Sequence, residues 1–372
     1  MTRLHLFLSA LAVSSLAVAT APFQTAVSAA SQVGSVTAGT PMLEPRSGHT
    51  ATLLPNGKVL IVGGMRRNQD FYRSAELYDP ATGKFQGTGA MSVARVGQIA
   101  VLLRSGKVLI AGGWIGGSST TDSAELYDPD SGKFAVIGRM TTRRARPSAT
   151  LLTNGDVLLA GGDDHDGRSA AIATAEIFHS DTLRFQPTGS LHRPRSSHTA
   201  TLLNDGRVLI AGGVDGGLIA GAELYDSKTG TFSETGGLIT PRYKHTAGLL
   251  PDGRVLIAGG SDERDWYGTM TSAEIYDPRS GKFTATSPLI DSRFKLPDEA
   301  VQLASGQVLI SGGSKTVEVY DPASGKFLVA SGQMSDKWHF MSETRLKDGR
   351  VLLAGGYPNG DQCTAQTWIY RP

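Results

Sequence analysis

Four consecutive residues, Arg242-Tyr243-Lys244-His245, place a guanidinium, a phenol, an amine and an imidazole in one short segment. A cation that neutralises a carboxylate beside a Tyr or His base is what proton abstraction from an acidic sugar requires. His339 is a second imidazole, next to Trp338. Tyr243, His245 and His339 are therefore the candidate catalytic groups. Around them stand residues suited to holding a ligand: Arg242, Lys244 and Lys295 as cations, Glu299 where the first repeat has Thr50, and Glu343 and Arg345 where similar segments carry Ala and Leu; the last three read either as one buried network or as a polar site at the axis. Trp114, Trp266, Trp338 and Tyr267 offer rings for stacking, joined by Phe71, Tyr72 and Tyr357. Clustered carboxylates at Asp163-Asp164-His165-Asp166 suit a hard cation, but the run matches no known calcium loop. It reads as a solvated loop, and no metal or cofactor is expected.

These groups are set in a repeating frame. A Gly-Gly pair ends an apolar run at Gly63, Gly112, Gly161, Gly212, Gly259, Gly312 and Gly355. Runs such as Lys58-Val59-Leu60-Ile61-Val62 read as buried strands. Before each lies a hairpin turn such as Asn56-Gly57 or Asp252-Gly253, and before that another strand. After each Gly-Gly come a variable loop, a third strand such as Ala75-Glu76-Leu77-Tyr78, a turn of the type Asp79-Pro80-Ala81-Thr82-Gly83, and a fourth strand that starts at an aromatic. Four short strands in each of seven repeats predict an all-β seven-bladed β-propeller of four-stranded antiparallel blades.

The last repeat stops at Pro372 without its fourth strand, and residues 31–42 carry the missing piece. They are expected to complete the last blade and close the ring, so residues 31–372 read as one domain. Residues 1–30 have Arg3, then an apolar run from Leu4 to Ala21, then small residues at Ser28-Ala29-Ala30, the pattern of a secretory signal. A secreted or periplasmic location without a membrane span after signal removal is expected. The net charge of +2 excludes a strong field for nucleic acid, and the single Cys363 excludes a disulfide framework or a cysteine metal cluster.

The Gly-Gly pairs, the later tyrosines (Tyr78, Tyr127, Tyr225, Tyr276, Tyr320) and the strand-four aromatics resemble the Kelch-repeat family. Phe stands where that family usually has Trp, and Phe178-His179-Ser180 replaces Tyr-Asp-Pro in the third repeat. The propeller of galactose oxidase is similar in kind. The resemblance implies ligand binding on the face that carries the variable loops, near the axis. It leaves the function open, because such propellers serve as protein-binding platforms and as enzymes.

A residue present in every repeat reads as structural. Glu76, Glu125, Glu176, Glu223, Glu274 and Glu318 form one such column. Arg46, Arg95, Arg144, Arg195 and Arg242, continued by Lys295 and Trp338, form another. The arginines are read either as partners of those glutamates or as a basic ring at the channel mouth. His49, His198 and His245 recur three positions after an Arg and read first as structural. The expected function is a ligand- or protein-binding module that takes a glycan or protein on its variable loops. The alternative is a carbohydrate-active lyase or hydrolase on acidic polysaccharide. A copper radical oxidase is disfavoured, since its Cys–Tyr crosslink would have to come from Cys363, nine residues from the end.

Overall fold

The computed structural model describes residues 33–372 apart from 69, 118, 165–170, 359 and 361; the proposed signal segment 1–30 lies outside the described residues. Seven four-stranded antiparallel sheets stand around an axis. The first blade comprises Thr50–Leu53, Val59–Val62, Ala75–Asp79 and Lys84–Gly87. The innermost strands of successive blades contact one another around the ring, including Ser342–Arg345 of blade seven with Thr50–Leu53.

The second strands are apolar on both faces because both are covered. In blade one, Val59 and Ile61 pack against Leu352 and Ala354 of blade seven. Leu60 and Val62 pack against Val108 and Ile110 of blade two. The period of two along a strand thus sends alternate side chains to opposite neighbours.

Closure follows the expected route. Ser35–Ala38 pairs antiparallel with Trp368–Arg371, Ser35 opposite Arg371 and Ala38 opposite Trp368. Val33 and Val36 enter the core that blade seven shares with blade six, and the Tyr370 hydroxyl donates to the Val33 carbonyl.

The Gly-Gly pair has a steric cause. Gly63 has φ +64, and a Cβ there would meet the Arg95 carbonyl at 2.8 Å and Gln98 Nε2 at 2.7 Å. That close approach lets the next residue, Gly64, donate to the Arg95 carbonyl at 2.9 Å. Each such pair ties one blade to the segment entering the next.

The arginine and glutamate columns meet at the same seam. Arg242 is fully buried; its Nη1 donates to the Gly259 and Ser272 carbonyls at 2.7 and 2.8 Å, and its Nη2 to Glu274 at 2.8 Å. Arg46, Arg95, Arg144 and Arg195 repeat the arrangement with Glu76, Glu125, Glu176 and Glu223. In blade six the column residue is Arg293, paired with Glu318 at 2.6 Å. This corrects the sequence assignment of Lys295. The two-residue insertion lies after the arginine, and it pushes Asp298 and Glu299 toward the axis, where Ala247 of blade five bonds the Asp298 carbonyl. In blade seven the ion pair gives way to two tryptophans, Trp338 and Trp368, with centroids 5.8 Å apart.

Candidate functional site

The connection entering each blade and the loop after each Gly-Gly come together on one face. Short bridges join them, Ser47 to Met65, Val96 to Trp114, Tyr243 to Ser261 and His339 to Tyr357. Two residues after each column arginine, or after Trp338, the backbone turns left-handed. Gly48, Gly97, Arg146, Ser197, Lys244, Lys295 and Phe340 have φ between +47 and +66. They form a rim around the channel mouth. Gly97 donates to Gly48 at 3.3 Å, Arg146 to Gly97 at 2.8 Å, Lys244 to Ser197 at 3.1 Å, Phe340 to Lys295 at 2.8 Å and Gly48 to Phe340 at 3.0 Å. A left-handed residue other than glycine costs about 1–3 kcal/mol and persists where its surroundings enforce it. Here three of the five non-glycine positions are cations.

Two of those cations share one carboxylate. Asp265, itself left-handed at φ +51, opens a short 3-10 turn, Asp265–Tyr267. Its Oδ1 accepts from Lys244 Nζ at 2.7 Å and from the Tyr243 hydroxyl at 2.8 Å. Its Oδ2 lies 3.4 Å from Lys295 Nζ. Burial opposes its charge, but Lys244, Tyr243 and the Lys295 charge hold the Asp265 carboxyl below the ordinary range. Burial in turn lowers Lys244 against the pull of Asp265. Lys295 is pushed down to about 8 by burial and then by the Lys244 charge. The Lys295 ammonium lies 3.7 Å from the centre of the Trp266 ring, with Phe294 at 4.9 Å and Tyr357 at 5.6 Å. Trp266 meets His339 edge-on at 4.7 Å. On the other side of the mouth, the Arg146 guanidinium covers Trp114 at 4.4 Å.

Two cavities open from the rim. The channel, about 910 Å³, runs from Gly48, Gly97, Arg146 and Lys244 down the inner strands to Gln302 and Arg345. A second, about 620 Å³, lies between Trp266, Tyr267, Lys295, Tyr357, Met65 and Cys363.

The structure gathers part of the expected site and disperses the rest. Lys244, Lys295, Trp266 and Tyr267 meet at the rim, Tyr267 with 89% of its surface exposed. Trp114 lies at the channel mouth. Arg242 is spent on Glu274 and has no free face. Trp338 is a core residue against Trp368 rather than a loop aromatic. Tyr243, His245 and His339 line neither cavity. His245 is buried between blades with Nε2 3.0 Å from Thr199 Oγ1, and burial takes its pKa well below the usual imidazole range. His49 and His198 make the same inter-blade contact to Ser342 and Ser148. His339 is held to about 4 by burial, with Nδ1 3.2 Å from the Phe294 carbonyl. Burial and the adjacent Asp265 raise the Tyr243 phenol above its ordinary range, the wrong direction for a base. Of the acidic loop, residues 165 and 166 lie outside the described residues, and Asp163 is buried with Arg146 Nε at 3.7 Å.

Arg146, Asp265 and the full part played by Tyr357 go beyond the sequence reading. The signal for Arg146 was its offset of two from Arg144, the offset of Lys244 from Arg242.

Glu299, Glu343 and Arg345 do not form one network. Arg345 donates to the Gln302 carbonyl at 3.1 Å, near the far end of the channel. Glu343 accepts from Ser311 N and Oγ at 2.8 and 2.7 Å, and its Oε2 has no partner. Water reaches Asp298 and Glu299, yet both sit so deep among protein atoms that burial raises Asp298 to about 6 and Glu299 above its ordinary value. Burial likewise raises Glu343 to about 7, against the Ser311 hydrogen bonds. A carboxyl raised on folding holds its proton more tightly in the native state. Its penalty is absent below the unfolded value and grows as pH rises through 4.5 toward about 7. Glu343→Gln is therefore expected to be more stable than the parent at pH 8 and equal to it at pH 4, read from urea midpoints at the two pH values.

Among the described residues, no group of three or more His, Cys, Asp or Glu is placed to hold a metal ion. A family model described as the Kelch motif matches residues 45–91 and 98–141, the first two blades. All seven blades are built alike, so the chain is a seven-bladed β-propeller whose first two blades carry the Kelch motif. No curated protein matches it by sequence. Among solved structures it is similar to a fungal alcohol oxidase of the AA5 family, determined in complex with copper. The TM-score is 0.73 at 16% identity, over 91% of this chain and 76% of that one, a likeness of fold.

Proposed function

We propose that the chain is an exported ligand-binding module that takes an acidic glycan at its channel mouth. The observation that carries this reading is the rim itself. Arg146, Lys244 and Lys295 project from enforced left-handed positions, beside the faces of Trp114 and Trp266. Acidic sugars present carboxylates for such cations and ring faces for such aromatics. Export rests on the leader pattern of residues 1–30. The acid–base alternative draws no support from the site, because its three candidate groups share neither cavity.

Calorimetric titration with acidic and neutral oligosaccharides of equal length tests the reading. The acidic ligand is expected to bind and the neutral one not. Arg146→Ala and Lys244→Met should each weaken binding about 10- to 100-fold, the loss of one charge-assisted hydrogen bond of about 1.5–3 kcal/mol. Equal affinity for both oligosaccharides, or no effect of either substitution, would reject it. So would a protein partner bound at the rim in place of either sugar.

A further inference from the structure

We propose that Lys295 is a carbonyl-capturing amine, which condenses reversibly with a small aldehyde or oxo acid entering the cavity above it. This goes beyond glycan binding and does not depend on it. Two features of the cavity point to it.

The first is how the amine is held. The Lys295 side chain is 7% exposed, and its ion contact among the described residues is the 3.4 Å approach to Asp265 Oδ2. Lys244, by contrast, holds Asp265 Oδ1 at 2.7 Å and shares that oxygen with Tyr243. Lys295 is the weaker competitor for a single carboxylate. The neighbouring Lys244 ammonium and shelter from water favour a neutral, nucleophilic amine, against Asp265 and the Trp266 ring face, which favour its charge. The depressed value of about 8 agrees with that geometry.

The second is the surroundings of the nitrogen. Trp266 and Tyr357 border the same cavity. Their rings can cover the carbon skeleton of a bound carbonyl compound and keep water from the product. Arg67 also lines this cavity and gives an oxo acid's carboxylate a partner.

Proton transfer runs through solvent. In the reaction, Lys295 gives up its ammonium proton to water, and the nitrogen lone pair attacks the carbonyl carbon. The π pair moves to oxygen, which takes a proton from the nitrogen through water to give a carbinolamine. Its hydroxyl then departs as water with a proton from solvent, while the nitrogen returns its remaining proton to solvent. One carbonyl compound and one amine thus yield one imine and one water.

The test uses the whole chain with glyoxylate at pH 8, sodium borohydride to trap the imine, and peptide mapping by mass spectrometry. Lys295 is expected to be carboxymethylated roughly tenfold faster than the exposed lysines Lys84, Lys133 and Lys326. Lys295→Arg should abolish that fast phase and leave the slow labelling unchanged. Lys244→Met should retain the site but move the rate profile to higher pH, because a repelling charge is gone. Labelling that simply follows exposure, with Lys295 unmodified in the folded wild-type protein, would overturn the proposal whatever the variants do.

Discussion

Deletion of residues 33–39 is expected to leave a protein that does not hold its ring. The segment supplies the fourth strand of blade seven, with Ser35–Ala38 paired to Trp368–Arg371. It also buries Val33 and Val36 among Val317, Val319, Trp368 and Tyr370. Burial of each valine is worth about 1.5–3 kcal/mol. Each hydrogen bond, such as Val36 N to the Ser331 carbonyl, adds about 1 kcal/mol. The sum is comparable with the whole stability of an ordinary domain, about 5–15 kcal/mol. The exposed edge of Thr367–Arg371 would then be free to pair with another chain. Size-exclusion chromatography should show association, and calorimetry the loss of the cooperative transition. A monomer that melts like the parent would contradict the closure argument.

The second large effect is expected at Arg242. Arg242→Ala removes five hydrogen bonds to Thr240, Gly259, Ser272 and Glu274 and strands the Glu274 carboxylate in a seam where it is 2% exposed. Breaking one half of a buried ion pair costs about 3–5 kcal/mol, more than the pair contributes over an apolar replacement. Glu274→Ala added to Arg242→Ala should therefore return part of the loss, and a double-mutant cycle from urea midpoints reads the coupling. Loss of Glu274 would still leave the Ile239 and Thr240 amides unpartnered, so the recovery is incomplete. Blade seven shows the same seam filled by Trp338 and Trp368. The ion pair is thus one solution to the seam and not a requirement of the fold. A destabilisation below about 1 kcal/mol for Arg242→Ala would contradict this account.

The propeller was legible because its signals repeat. Gly-Gly pairs, hairpin turns and buried runs recur seven times, and each copy checks the others. The rim was only half legible. The phase of the arginine column follows from the distance to the next Gly-Gly, and blade six inserts two residues inside that distance. Spacing alone therefore puts Lys295 in the column that belongs to Arg293 and hides its kinship with Lys244. Glycine occupies the Arg146 position in blades one and two, so the column shows no chemistry when read from the first repeat. Asp265 lies in a variable loop, which no repeat arithmetic can align. The histidines show the converse. An imidazole beside Arg and Tyr in sequence suggests acid–base work, but strand alternation turns His245 into the seam with Thr199.

The rim positions are set by the scaffold independently of their side chains. Their backbone is fixed by one another, not by the side chains they carry, so Arg, Ser, Lys and Phe occupy equivalent sockets. At Gly48 and Gly97 a Cβ would meet Val96 at 2.8 Å and Trp114 at 2.9 Å, so those two sockets are already filled by neighbours. The other five lie outside the strands of every sheet. On the proposed binding reading, substitutions at 146, 197, 244, 295 and 340 would rewrite what docks at the mouth while the sheets beneath stay as they are.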